Sequence, residues 1–504
     1  MSVLTEALRG QRIVVGVPAE GVDPWVPLAE VLLWEGLDTW LLPATWLDRL
    51  PGILALFGLR ARVGVSGLTD AAGVHAAPRL LSPALQAQLQ ALQPGERILL
   101  TGVPVGEERT ATATLQRIEV YAADARVIAV TPQGEVELPR SRLRFYLGYA
   151  ADARADIGLS LDPEDGSLSA TVRGALGDFA IRGRPLAGGL ALESAALHQQ
   201  APDGSALQTQ CGQDRLDPGV IGAALQRLAA NTGSAIDAAS ALSGPLRRAV
   251  VAVDTDGELL NAPLFGGNTT TATNWIAQLF VEMNVMYQRD LNLQLLQGTT
   301  FLNTNAATDP YSVTGSPAGS AHLNEFGTYW ANNRGRVFRH FAMLLSGKSS
   351  QQNSASGIGW INAYCSKPSS GGSYTVNQIF TFAGTTPAQN APLVAHELGH
   401  NLGSPHTHCN YATNGGVPLD SCYNAEGSGC YSGTPACPGA TNGNKGTLMS
   451  YCHIGAPSGA GCGSNNFKLD YASQPANPVQ ALMNNQITAN FSTCIDRIFA
   501  DGNQ

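Results

Sequence analysis

At 504 residues the chain is too long for one ordinary hydrophobic core, so two or three domains are expected. Its apolar content of 44% suits a soluble globular protein, and a net charge of −9 with no basic run gives no electrostatic argument for nucleic acid or an anionic membrane. No stretch approaches about 18 uninterrupted apolar residues, which excludes an ordinary membrane-spanning helix.

In chain order, the start (Met1-Ser2-Val3-Leu4-Thr5) lacks the basic, apolar and small-residue segments of a secretory signal, so none is visible. Residues 1–78 alternate strand-like and helix-like runs. Arg12–Val17, Thr39–Leu42 and Ala61–Val65 read as strands, with helices at Pro27–Gly36 and from Asp70, a βαβ rhythm. From about 79 to 248 short alternating runs dominate: Arg97–Leu100, Ala113–Tyr121, Val127–Val130, Leu143–Tyr149, Ile157–Leu161, Ser167–Arg173 and Phe179–Arg182. Turn formers such as Asp162-Pro163-Glu164-Asp165-Gly166 separate them, as in an antiparallel β domain. A linker-like stretch, Asn231–Pro245, leads to the basic pair Arg247-Arg248.

Residues 249–504 read differently. Ala249–Asp254 is a strand, and Thr273–Leu291 carries Trp275, Leu279, Met283 and Met286 at helical spacing. Leu293–Leu296 reads as a strand, Arg336–Leu345 as a helix and Gly357–Tyr364 as a strand. Eight of nine cysteines fall here: Cys365, Cys409, Cys422, Cys430, Cys437, Cys452, Cys462 and Cys494. With no paired CxxC spacing, they read as about four disulfides and an oxidising, extracytoplasmic compartment.

The decisive run is His396-Glu397-Leu398-Gly399-His400-Asn401-Leu402-Gly403-Ser404-Pro405-His406. Residues four apart share a helical face, so His396 and His400 can present two imidazoles to one ion. Glu397 can reach a metal-bound water without being a ligand. Gly403 can take the left-handed position that ends a helix, turning the chain back to deliver His406. Three protein ligands leave the open position that a catalytic zinc requires. His408 and His453 read as ordinary polar loop residues.

These residues resemble the zinc motif of the metzincin metalloproteases. That resemblance implies a Met-containing turn beneath the histidines, and Gly446-Thr447-Leu448-Met449-Ser450-Tyr451-Cys452 is similar to it. Tyr451 stands where astacins and serralysins carry a Tyr that ligates zinc or stabilises the oxyanion. Across about 245 residues the order of elements resembles the adamalysin (reprolysin) branch, including Gly357-Ile358-Gly359-Trp360-Ile361-Asn362-Ala363-Tyr364-Cys365 and Asn490-Phe491-Ser492-Thr493-Cys494. It implies a Cys365–Cys494 bridge. Thr407 departs from that family, which usually has Asp after the third histidine.

The ninth cysteine opens Cys211-Gly212-Gln213-Asp214, which resembles the cysteine switch of metzincin zymogens. A thiolate is a better zinc ligand than water, so Cys211 could fill the open position, with activation by cleavage between Cys211 and Ala249, for which Arg247-Arg248 is a candidate site. Separately, Gly64-Val65-Ser66-Gly67-Leu68-Thr69-Asp70-Ala71-Ala72-Gly73-Val74 resembles the first half of a keto-deoxy-phosphogluconate-type class I aldolase. That implies a Schiff-base lysine, but the first lysine in the chain is Lys348, so residues 1–78 read as an appended fragment.

The expectation is a multi-domain chain combining α+β and α/β character: the appended fragment, a β-rich propeptide at 79–248 and a zinc metalloprotease domain at 249–504. It would act on proteins or peptides through one Zn²⁺, with Glu397 as general base. Calcium is possible but not indicated. The alternatives are a catalytically inactive metal-binding adhesion module and an aldolase fusion.

Overall fold

A computed structural model describes residues 65–67, 69–70, 79–186, 188–197, 200–213, 246–427, 429–474 and 477–489. Most of the βαβ reading before 79, the linker at 231–245, Asp214 and Cys494 lie outside the described residues, as does the partner half of the expected Cys365–Cys494 bridge. The chain forms two compact units, Met1–Ile118 with Tyr146–Ala196, and Glu119–Phe145 with Leu197–Gln504.

The first unit carries one sheet. Its strands are β1 (Val65–Gly67), β2 (Thr69–Asp70), β3 (Arg79–Leu81), β4 (Arg97–Pro104), β5 (Thr110–Ile118), β8 (Arg144–Ala150), β9 (Ala155–Leu161), β10 (Leu168–Gly174), β11 (Gly177–Leu186) and β12 (Gly189–Ala196). Their order is β1-β4-β5-β8-β9-β10-β11-β12-β3-β2. The strict two-residue alternation along Thr110–Ile118 turns Ala111, Ala113 and Leu115 inward, where they meet Leu81, Leu100, Ile157, Leu161 and Val172. Helix α1 (Pro83–Ala91) is capped by the Ser82 hydroxyl and seats Leu85 and Leu89 on this core. The Tyr146 hydroxyl donates to Leu89 O at 2.7 Å, tying sheet to helix. Neighbouring strands from β9 to β12, and β12-β3, β3-β2 and β4-β5, pair antiparallel, while β1 runs parallel to β4.

The second unit is built on an eight-stranded mixed sheet. Its strands are β6 (Val127–Thr131), β7 (Gly134–Leu138), β13 (Gln208–Cys211), β14 (Arg247–Thr255), β15 (Leu293–Asn303), β16 (Phe341–Ser346), β17 (Ser354–Gly359) and β18 (Tyr374–Gln378), in the order β13-β17-β18-β16-β14-β15-β6-β7. The centre, β18-β16-β14-β15, is parallel and buried on both faces, and β14 and β16 carry the continuous apolar runs Ala249–Val253 and Phe341–Leu345. Helices α2 (Gly257–Asn261), α3 (Thr269–Leu291), α4 (Ser320–Asn333), α5 (Pro387–Asn401) and α6 (Pro478–Ala489) complete it. The expected face of α3 is buried at Trp275, Leu279, Met283 and Met286. Two polar tips on α3 fix α5: Trp275 Nε1 donates to Thr385 O at 3.0 Å, and the Tyr287 hydroxyl to Ala395 O at 2.7 Å.

Several readings need correction. Arg336–Leu345 is not a helix: Phe341–Ser346 is strand β16, fully buried between β14 and β18, and a short all-apolar run suits a buried parallel strand as well as a helix. The strand expected at Gly357–Tyr364 runs from Ser354 to Gly359 and then turns. Helix α4 and strand β18 were not anticipated. Upstream of residue 249, strands β6, β7 and β13 pair into the sheet of the C-terminal unit. Arg247-Arg248 opens strand β14 and lies in register with Leu293 and Gln294.

Candidate metal centre

Helix α5 begins at a capping box. Thr386 and Gln389 satisfy each other's backbone, and Pro387 sits in the first turn, where a missing N–H costs nothing. The helix places His396 and His400 one turn apart on one face. Leu402 caps it, and Gly403 follows with φ of +104°, a conformation that side chains disfavour. The chain thereby doubles back through Pro405 and brings His406 to the other two histidines.

His396 Nε2 lies 3.1 Å from His400 Nε2 and 3.2 Å from His406 Nε2. The fourth atom is Cys211 Sγ, 3.5 Å from His400 Nε2, and all four ligand atoms lie within 4.8 Å of one another. The opposite nitrogen of each ring is taken. His396 Nδ1 donates to Leu448 O at 2.7 Å, His400 Nδ1 to Ser404 O at 2.7 Å and His406 Nδ1 to Glu426 Oε2 at 2.6 Å. With each ring proton assigned to Nδ1, three Nε2 lone pairs converge with no proton between them. That arrangement repels unless a cation sits at its focus. A tetrahedral zinc holds two nitrogens roughly 3.3 Å apart, and a nitrogen and a sulfur roughly 3.6 Å apart. The residues present fit that ion.

Burial pushes the His400 imidazole down to about 3, and the charge of His406 pushes the same way. Burial lowers His396 well below the ordinary imidazole range, with His400 and His406 adding to it. Both rings therefore keep the neutral form a metal requires. Burial likewise raises the Glu397 carboxyl and the Cys211 thiol, the latter also through the Glu397 charge. A divalent cation reverses that logic for a coordinating thiol.

Glu397 is fully buried, with Oε2 3.5 Å from Cys211 Sγ and no hydrogen-bond partner at Oε1 among the described residues. It nests against Gly357 of β17, where any side chain would fall on the Glu397 carboxyl. Below the helix, a Cβ at Gly399 would stand 2.7 Å from Met449 Sδ, so the glycine lets the Met449 floor close on the histidines. Met449 is buried, and Leu448 O beside it is the carbonyl that orients His396.

The segment carrying Cys211 lies along the edge of the sheet. Strand β13 pairs parallel with β17, placing Cys211 opposite Gly357. Gly212 N donates to Gly357 O at 2.7 Å, and Gln213 Nε2 donates to Gly359 O. A side chain at Gly212 would run into Ala318 O, so the glycine after the cysteine is sterically required. On the other side, the Tyr451 hydroxyl donates to Cys211 O at 2.6 Å, and His453 Nε2 contacts Thr209 O at 3.2 Å.

The structure brings the histidines, Glu397, Cys211, Met449 and Tyr451 together. Glu426 was missed. Its side chain is buried within a Gly/Ser/Asn-rich loop, and no spacing rule links it to His406. Burial alone would raise its carboxyl, but His406 and His408 hold it well below the usual range. His408 Nε2 lies 2.6 Å from the same oxygen, so this residue is no ordinary loop histidine. The bridges Cys409–Cys430, Cys422–Cys452 and Cys437–Cys462 staple the surrounding loops. Such bonds persist in an oxidising environment.

Residues 246–468 match the family model Reprolysin_5, metallo-peptidase family M12. This metallo-peptidase-like region contains the three histidines, Glu397 and Met449. The crystal structure of metalloproteinase-II from Bacteroides fragilis is similar over 69% of this chain and 90% of that one, at 10% identity and a TM-score of 0.34. Among the described residues no helix is long and apolar enough to cross a membrane.

Proposed function

We propose that the chain is the latent form of a secreted, reprolysin-like zinc endopeptidase. His396, His400 and His406 hold zinc through Nε2, and the Cys211 thiolate takes the fourth position until the segment before Arg247 is released. The observation that carries this reading is the convergence of three unprotonated Nε2 atoms and one sulfur at ligand-to-ligand distances that suit zinc.

When bound, zinc supplies a Lewis acid for the scissile carbonyl and acidifies the hydrolytic water. Glu397 then acts as general base, accepting the water's proton at its carboxylate and passing it to the leaving amine. Its burial and unpartnered Oε1 suit a carboxylate kept for that transfer. The peptide lies along β17 as an added strand, in the lane that β13 fills in the latent chain. Tyr451 donates its hydroxyl to a substrate carbonyl oxygen, as it does to Cys211 O.

The test pairs metal analysis with hydrolysis of denatured casein by the activated chain. The expected result is about one zinc per chain and cleavage abolished both by a chelator and by Glu397→Ala, which retains zinc. Chelator-insensitive cleavage, or full activity in Glu397→Ala, sinks the assignment.

A further inference from the structure

A strand in a cleft has two hydrogen-bonding edges, and its carbonyls leave alternately on each side. One edge of β13 is taken by β17, through Gln208 N to Asn353 O at 3.0 Å and Gly212 N to Gly357 O at 2.7 Å. Residues 209 and 211 therefore face away from β17, and both of their carbonyls are met by side chains. The Tyr451 hydroxyl donates to Cys211 O at 2.6 Å, and His453 Nε2 reaches Thr209 O at 3.2 Å. The two partners are themselves two residues apart. They follow Met449 directly, so their spacing to the histidines is fixed by the turn that floors the site.

The tautomer of His453 is assigned from its partners: Thr209 O can only accept, so Nε2 facing it carries the proton. Asn465 Nδ2 donates to Ser450 O at 2.6 Å and lies 3.2 Å from His453 Nδ1. With Nδ1 accepting, Nε2 carries the proton and donates to the carbonyl. Both ring nitrogens of His453 are thus engaged, Nε2 by Thr209 O and Nδ1 by Asn465 Nδ2, so neither is offered to the metal.

We propose that Tyr451 and His453 form a main-chain rail for the substrate: two donors that bind every second carbonyl of an extended peptide lying along β17. This rests on the endopeptidase reading above. A peptide laid on β17 in either direction turns alternate carbonyls outward, roughly 6.7 Å apart, so the rail reads backbone rather than side chains. His453 is a positioning residue for this reaction. It holds the peptide two residues from the carbonyl that Tyr451 binds, and the ligand class is an unbranched, extended polypeptide.

The experiment uses the full chain, activated by limited proteolysis, and a quenched-fluorescent decapeptide that the wild-type active form cleaves in a chelator-sensitive way. His453→Ala is expected to raise KM roughly 3- to 10-fold, the loss of one hydrogen bond, with kcat changed less than KM. His453→Gln, which keeps an N–H donor, is expected to restore most of the loss. Asn465→Ala releases the tautomer and gives a smaller rise in KM, which decides the matter if His453→Ala fails to fold. Unchanged KM in both Ala variants, or a Gln variant no better than Ala, overturns the rail while leaving the endopeptidase reading intact. A wild-type form that cleaves no peptide, or cleaves regardless of chelator, overturns both.

Discussion

His406 and Glu426 are joined by a 2.6 Å hydrogen bond between Nδ1 and Oε2, across 20 residues of disulfide-stapled loop. The other two rings donate to backbone carbonyls, so His406 alone leans on a charged partner. A carboxylate behind an imidazole fixes its orientation and raises its basicity as a ligand, and losing it costs metal affinity about 10- to 100-fold in comparable sites. Glu426→Ala should weaken zinc binding by that order in a chelator competition, with Glu426→Gln intermediate because the acceptor survives without the charge. Equal affinities in all three proteins would show that the contact does not tune the metal.

Gly357 faces Glu397 at a separation that admits no methyl group. Overpacking at such a site is relieved by moving the more mobile partner, here the carboxylate. Gly357→Ala is therefore expected to lower kcat at least 100-fold while zinc content stays near that of wild type. The same glycine lies opposite Cys211 in the ladder, and its backbone bond to Gly212 N does not depend on a side chain. Latency should survive the substitution, so retained kcat is the outcome that would count against the placement of Glu397.

Cys211 is held by more than its sulfur. The ladder to β17, the Tyr451 hydroxyl and the Gln213 amide each fasten the segment to the cleft. Cys211→Ala should open the fourth metal position yet leave the strand seated, so the uncleaved variant should show activity above the wild-type background but below that of the processed form. If the uncleaved variant is as silent as wild type, the thiol does not carry the latency.

The parts of this site legible in the sequence are those with local periodicity. His396 and His400 share a helical face because 3.6 residues make a turn, and Gly403 marks the one place where the chain can reverse. Glu426 was illegible because its partnership with His406 depends on how a cross-linked loop closes, which no local pattern encodes. His453 failed for a similar reason, since its carbonyl partner is 244 residues away. The strand at Phe341–Ser346 was misread because complete burial erases the two-residue alternation that separates strand from helix. Strands β6 and β13 were assigned to the upstream β domain, because pairing with residues more than 140 positions distant leaves no trace in composition.

The last prediction concerns where the proposed latent form is cut. Arg247-Arg248 resembles an exposed dibasic site in the sequence, but Arg247 begins β14 at the centre of the C-terminal unit's sheet. Its backbone N–H donates to Asn292 O at 3.0 Å, and its guanidinium donates to Leu291 O and Asn484 Oδ1. Burial lowers its guanidinium to about 10, and the residue is half-buried. A protease needs several residues in extended form on each side of the cut, which here means stripping the start of β14 from β15. Cutting upstream leaves those bonds in place. The active form should therefore keep Arg247, and N-terminal sequencing should place its first residue between 212 and 247. Arg247→Gln with Arg248→Gln should then leave the rate of activation close to that of wild type, because the cut lies upstream of both residues, while lowering thermal stability through the lost Leu291 and Asn484 contacts. A mature form that starts at Ala249, or a double variant that can no longer be activated, would restore the dibasic pair as the processing site.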